Sequence, residues 1–214
     1  MSTKLEQVRQ IVFKAVRGPG RSRLSSPAID TVGGYTSPNI RHLLNNLGEI
    51  STSYYEIGSH RGATLISATY DNYGLKSSIG CDNFSQFNEQ GSPEPDFWLN
   101  CNRFIKDRFK LFKFDCFDVK PDDIAYPIDL FFSDGSHSYQ DQKRAITHMA
   151  PMLDNECVVL VDDFSWHDTN AGTMDGFKEA GLSIEFAWTL FSGNESDCGP
   201  NGWWNGLGVF VVRH

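Results

Sequence analysis

Six acidic residues, Glu56, Asp82, Asp115, Asp134, Asp162 and Asp163, stand where alternating strands and helices would bring them to strand ends. Their neighbours suggest two kinds of chemistry. In Tyr55-Glu56-Ile57-Gly58-Ser59-His60-Arg61-Gly62, Gly58 permits a sharp turn and Gly62 a close start to the next helix, whose amides can meet a carboxylate or phosphate. Glu56 falls at a position that should be buried, and a buried carboxylate needs partners; local amides would serve. The dinucleotide pattern G-x-G-x-x-G is absent, which weighs against NAD. Asp82 follows Glu56 by 26 residues. It is placed to accept both hydroxyls of a ribose, or to build a turn with Asn83. Asp115 and Cys116 follow the third strand, where an adenine base would lie; an ordinary loop acid is the other reading.

The second chemistry belongs to Ser133-Asp134-Gly135-Ser136-His137-Ser138-Tyr139 and to Val161-Asp162-Asp163-Phe164. Each follows an apolar strand, and 28 residues separate Asp134 from Asp162. Neighbouring strands would make the three acids converge. Without Lys or Arg beside them they repel one another unless a cation or shared protons intervene. Oxygen-only ligands suit Mg2+, Mn2+ or Ca2+ rather than zinc. Alternatively, one or two of these acids cap the helices that follow. His137 adds an imidazole at the mouth of the sheet.

The elements needed to hold these loops are legible. Residues 4–16 carry a helical apolar spacing, 17–38 read as irregular chain rich in Gly, Pro and Ser, and a short helix is expected over 39–47. Strands are expected at 53–57, 77–81, 111–114, 128–132 and 157–161, with helices at 62–73, 95–107, 139–152 and 172–180. Two further strands, 183–190 and 207–213, have no helix between them. This predicts an α/β fold: a Rossmann-like, seven-stranded, mostly parallel sheet with helices on both faces and a C-terminal antiparallel hairpin. Ligands in such sheets bind beyond the carboxyl ends of the strands.

With 214 residues the chain suits one domain, residues 1–50 forming an N-terminal helical cap. Its 27 acids against 19 Lys and Arg give a charge of −8, which excludes a protein that grips nucleic acid chiefly by neutralising phosphates. The basic run Lys14, Arg17, Arg21, Arg23 reads as a solvated face, with an anionic acceptor as the alternative. The longest apolar runs are far shorter than the roughly 20 residues of a spanning helix, so no membrane partner is expected. Five cysteines, an odd number without a C-x-x-C pair, point to reduced thiols and the cytoplasm. The 191–206 segment, with Glu195, Asp197, Cys198, Trp203 and Trp204, reads as a hydrophobic plug under a long loop, with a wall of the acceptor pocket or a subunit contact as the alternatives. Trp166 and His167 are better placed to touch an acceptor. His42, His148 and His214 read as ordinary surface or packing residues.

The order Y-E-I-G-S-x-x-G, an acid after the second strand, D-G-x-H-x-Y and V-D-D over residues 35–165 resembles the class I S-adenosylmethionine-dependent methyltransferases. The resemblance is nearest to the small-molecule O-methyltransferase branch grouped with macrocin O-methyltransferase and the cephalosporin hydroxylase-like proteins. It implies that Glu56, Gly58, Ser59 and Gly62 serve the methionine and ribose part of the cofactor, Asp82 the ribose hydroxyls, and Asp115 and Cys116 the adenine, with Asp134 close by. The segment 34–38 would cover the cofactor from the N-terminal side. Asp134, Asp162 and Asp163 match the cation positions of catechol-type O-methyltransferases. Those enzymes carry Lys three residues after the first metal acid, where this chain has His137. The expected activity is methyl transfer to a hydroxyl of a small molecule, with Asp134 and His137 as the catalytic pair and a homo-oligomer open. A metal-dependent hydrolase or oxidoreductase, or a non-catalytic binding protein on the same sheet, are the rival readings.

Overall fold

A computed structural model describes residues 3–88, 91–191 and 202–214. Helix α1 (Lys4–Ala15) starts at Thr3, whose hydroxyl accepts from the Glu6 amide at 3.2 Å, and buries Val8 and Val12. A short helix α2 (Ser26–Thr31) interrupts the stretch expected to be irregular. Ser25 caps it and Pro27 suits its first turn. Arg41, buried on α3 (Pro38–Glu49), then closes the other end. Its guanidinium donates to the carbonyls of Ala28 (3.0 Å), Ile29 (3.1 Å) and Val32 (3.2 Å), and to Ser67 Oγ (2.9 Å). A side chain nine or more residues away supplies those bonds, so no local pattern announced the helix.

Seven strands follow: β1 (Ser53–Ile57), β2 (Ser77–Cys81), β3 (Lys110–Phe112), β4 (Ile128–Ser133), β5 (Leu153–Val161), β6 (Ser183–Leu190) and β7 (Leu207–Arg213). They form one sheet in the order β3-β2-β1-β4-β5-β7-β6. The first five run parallel, and β7 lies antiparallel between β5 and β6. The terminal pair is thus antiparallel as expected, with the last strand inside and β6 at the edge.

The remaining helices are α4 (Ala63–Thr69), α5 (Glu94–Phe104), α6 (Tyr139–Met149) and α7 (His167–Glu179). One face of the sheet, with Tyr54, Leu130, Phe132, Val158 and Leu160, packs against α1, α3, α4 and α5 residues. The other, with Tyr55, Phe131, Val159, Val161 and Phe210, packs against α6 and α7. This alternation is the period-two rule of strands buried on both sides. Helix α7 begins five residues before its expected start. Its buried face is Thr169, Gly172, Thr173, Gly176 and Phe177, small residues that carry little apolar signal. They allow close packing: a Cβ on Gly172 would meet the Tyr139 carbonyl oxygen at 2.5 Å.

The sheet's amino-terminal edge is tied by Asp129, which is buried. It accepts from the amides of Thr52 (3.0 Å) and Ser53 (2.9 Å) and pairs with Lys4 of α1 at 2.9 Å. The carboxyl ends of β1 to β5 open on the opposite edge, and β1 and β4, where strand order reverses, form the crevice there. Among the described residues no helix is long and apolar enough to cross a membrane.

Candidate active site

At the end of β1, Glu56 is fully buried. Its Oε2 accepts from the Tyr54 hydroxyl at 2.6 Å, and its Oε1 has no partner. Desolvation pushes its carboxyl up to about 7, against the pull of the Tyr54 hydrogen bond. A raised carboxyl contributes stability that is present below its unfolded value, 4.5, and is lost as pH rises through about 7. Glu56→Gln stays uncharged, so it should exceed the parent chain in stability above that pH, by up to about 3 kcal/mol. Urea melts across pH check this; parallel pH curves for the two chains would show that Glu56 carries no such penalty.

The crevice is drawn tight at Gly58. Its amide donates to the Cys81 carbonyl (2.9 Å), and the Asp134 amide to the Ile57 carbonyl (3.0 Å). With φ at +86°, Gly58 leaves room for the β4 loop: a Cβ there would lie 1.9 Å from the Asp134 carbonyl oxygen. Ser59 is buried and its hydroxyl has no partner. Asp82, half-buried after β2, accepts from the His60 amide on one oxygen and from the Phe84 amide on the other, each at 2.7 Å. The carboxylate is thereby fixed in orientation. Asp115 accepts from the Phe117 amide at 3.0 Å. Burial pushes the Cys116 thiol up to about 12, so it stays protonated and packs rather than reacts.

After β4 and β5 the acids meet. His137 Nδ1 lies 3.3 Å from Asp163 Oδ2, and Nε2 lies 3.8 Å from Asp134 Oδ1 without a hydrogen-bond partner. Asp163 Oδ1 accepts from the Asn205 amide nitrogen at 2.7 Å. The indole of Trp166 meets the His137 ring edge-on, centroids 5.4 Å apart. Burial lowers the His137 value below the usual 6.5, with Asp163 pulling the other way. A neutral imidazole that keeps its proton on Nδ1, beside the Asp163 carboxylate, leaves the Nε2 lone pair free. Desolvation, and then Asp163, push Asp162 up to about 8; Asp134 rises well above the carboxylate range through desolvation and then Asp162 and Asp163. The oxygens suit a hard cation. Even so, among the described residues no three His, Cys, Asp or Glu groups surround one point as a metal ion requires.

These groups line one cleft of about 680 Å³, within the range of small-molecule sites, about 300–1,000 Å³. Gly58, Ser59, Asp82, Asp115, Cys116, Asp134, His137, Asp162 and Asp163 all face it. Glu56 lies buried behind, and Gly62 turns toward α5, where a Cβ would meet Cys101 Sγ at 2.7 Å. Tyr35 closes the mouth, its ring 5.3 Å from His60, 5.2 Å from Phe87 and 6.5 Å from Trp204. Of the two neighbouring tryptophans, Trp203 is buried in the core and Trp204 lines the cleft. Glu195, Asp197 and Cys198 lie outside the described residues. Trp166 lines the cleft, whereas His167 turns its side chain to solvent.

Phe87 and Asn205 escaped the sequence reading. A signal existed for Phe87, three residues beyond Phe84 in the loop after Asp82. None existed for Asn205, 42 residues from the Asp163 it holds.

Comparison with known proteins bears on the fold and the family. The chain resembles, at 14% identity and TM-score 0.61, the O-methyltransferase TomG from Streptomyces achromogenes, solved with S-adenosylmethionine; the match covers 100% of each chain. An O-methyltransferase from Bacillus cereus in complex with S-adenosylhomocysteine matches at 16% identity and TM-score 0.58, over 97% of this chain and 90% of that one. Precorrin-6y C5,15-methyltransferase from Geobacter metallireducens matches at 14% and 0.56, over 92% and 94%. Likeness at such identity establishes the fold alone, a Rossmann-like sheet shared with these methyltransferases. No curated protein matches the sequence. The family model described as a methyltransferase domain matches residues 55–164, from the Tyr55 that opens the glycine turn to the Phe164 that follows the paired aspartates. The chain is therefore a member of this methyltransferase-domain family.

Proposed function

We propose that the chain transfers a methyl group from S-adenosylmethionine to a hydroxyl of a small molecule. The observation that carries this reading is one cleft in which Asp82, fixed by two backbone amides, faces the same space as a neutral His137 with a free Nε2. When bound, the cofactor supplies an electrophilic methyl group. Asp82 would hold the ribose hydroxyls, Asp115 and Cys116 would flank the adenine, and Ser59, which lines the cleft, would face the methionine end, with the buried Glu56 carboxyl behind it. His137 Nε2 would take the acceptor proton while Asp163, held by Asn205, keeps the other ring nitrogen protonated. The chain's main contribution is orientation, since no covalent enzyme intermediate is needed. Isothermal titration with S-adenosylhomocysteine is expected to show one saturable site, weakened by Asp82→Ala. No heat at millimolar ligand would overturn the proposal and leave the binding-protein and metal-hydrolase readings.

A divalent cation forms the second part. Mg2+, Mn2+ or Ca2+ at Asp134, Asp162 and Asp163 would lower the pKa of the acceptor hydroxyl. Its support is the oxygen-only donor set and the mutual repulsion of three acids, which a cation relieves. Binding would require Asp163 to release His137 or Asn205. Added Mg2+ should raise Tm in the parent chain and leave Asp162→Asn unmoved; an identical Tm with Mg2+ and with EDTA in the parent would remove the cation from the proposal. Cytoplasmic residence belongs to the same reading, since the described cysteines are all free thiols.

A further inference from the structure

Positive charge on this acidic chain is gathered at one end. Residues 1–23 hold six of the 19 Lys and Arg and one of the 27 acids, a local charge of +5 on a chain of −8. The structure gives this run a shape that a solvated face would not need. Lys14 at the end of α1, with Arg17 and Arg21 on the segment that follows, lines a cavity of about 630 Å³ against α3. That cavity shares no lining residue with the cleft. Its walls are pinned: the Gly20 amide donates to Asn39 Oδ1 (2.6 Å), Asn46 donates to the Arg21 carbonyl (2.8 Å), and Ser22 Oγ bonds His42 Nδ1 (2.8 Å). The lining also includes apolar side chains, Ile11, Leu43 and Ile50. Among the described residues, the side chains of Lys14, Arg17 and Arg21 make no ion pair and no hydrogen bond. The one acid on the wall, Glu49, is paired with Arg23.

Three free cations facing a cavity with apolar and amide surface match a ligand with a phosphate group and a small organic body. Guanidinium forks take phosphate oxygens in pairs, and an ammonium adds a point charge. We infer that this cavity is a second binding site, separate from the cleft, for a phosphorylated small molecule of sugar-phosphate size. The concave shape favours a small ligand over a lipid surface, which would want a flat or convex basic face.

Ribose 5-phosphate and inorganic pyrophosphate are suitable probes because neither carries the adenine that the cleft is proposed to hold. Titrated into the full-length protein at low ionic strength, ribose 5-phosphate should bind saturably at one site, more weakly as salt rises. The triple variant Lys14→Glu/Arg17→Glu/Arg21→Glu should weaken it at least about tenfold. S-adenosylhomocysteine affinity and the circular dichroism spectrum should stay unchanged, which shows that the variant is folded and separates this site from the proposed function. Three results overturn the inference: no saturable binding of either probe, equal binding by the triple variant, or sedimentation with phosphatidylglycerol vesicles while both soluble probes fail to bind.

Discussion

His137→Ala is expected to lower kcat by about 10²- to 10⁴-fold, the usual contribution of a positioned general base, and to leave S-adenosylhomocysteine affinity as it was. The argument is geometric first. His137 is held on three sides: Asp163 at Nδ1, the Trp166 indole at the ring edge, and the loop after β4 that carries it. Its remaining nitrogen, Nε2, is buried without a hydrogen-bond partner, 3.8 Å from Asp134 Oδ1 at the cleft wall. Electrostatics then set the working range. Burial disfavours the imidazolium more than Asp163 favours it, so the proton leaves below the usual 6.5. A base works in its neutral form, so kcat should be lost as pH falls through that lowered value and be flat above it. Asn205→Ala offers a graded version. It frees Asp163 to turn away, so kcat should fall less than in His137→Ala, with KM for the cofactor unchanged. Full activity in His137→Ala would remove the base role and leave Asp134 to serve alone.

How much of this was legible in the sequence depended on whether a signal was local. The strands β1, β2, β6 and β7 have the expected bounds, because apolar runs ended by glycine, proline or polar turns carry their own instruction. The acids at strand ends were legible for the same reason: once β4 and β5 pair in parallel, with Ser133 opposite Val161, Asp134 and Asp162 must lie side by side. Two kinds of feature stayed hidden. Helix α2 depends on Arg41, and the orientation of Asp163 depends on Asn205; each is a bond between residues far apart in sequence. Helix α7 packs through Gly and Thr, which leave no apolar stripe to read. The N-terminal charge was visible as composition, but whether it faces water or a cavity is decided by how the 17–23 segment lies along α3.

Gly58→Ala should disable the cleft more completely than any change to a side chain in it, cutting S-adenosylhomocysteine affinity by about 100-fold. Two costs add. The backbone sits at φ +86°, where an L side chain costs about 1–2 kcal/mol. The new methyl carbon would also lie 1.9 Å from the Asp134 carbonyl oxygen, so the loops after β1 and β4 must part. A total loss of about 2–4 kcal/mol corresponds to a Tm roughly 5–15 °C lower for a chain of this size. Destabilisation alone would not prove a role in binding, and Gly62→Ala separates the two. Gly62 has nearly the same φ, +84°, and its Cβ would press on Cys101 Sγ at 2.7 Å, on the side of α5 rather than the cleft. Both variants should therefore melt early. Only Gly58→Ala should lose the ligand, because only there does relief of the clash move Asp134, and with it the floor that the β1 and β4 loops share. Equal affinity loss in the two would mean that the glycine turn acts through overall stability, and that the close approach of β1 to β4 is not what shapes the cleft.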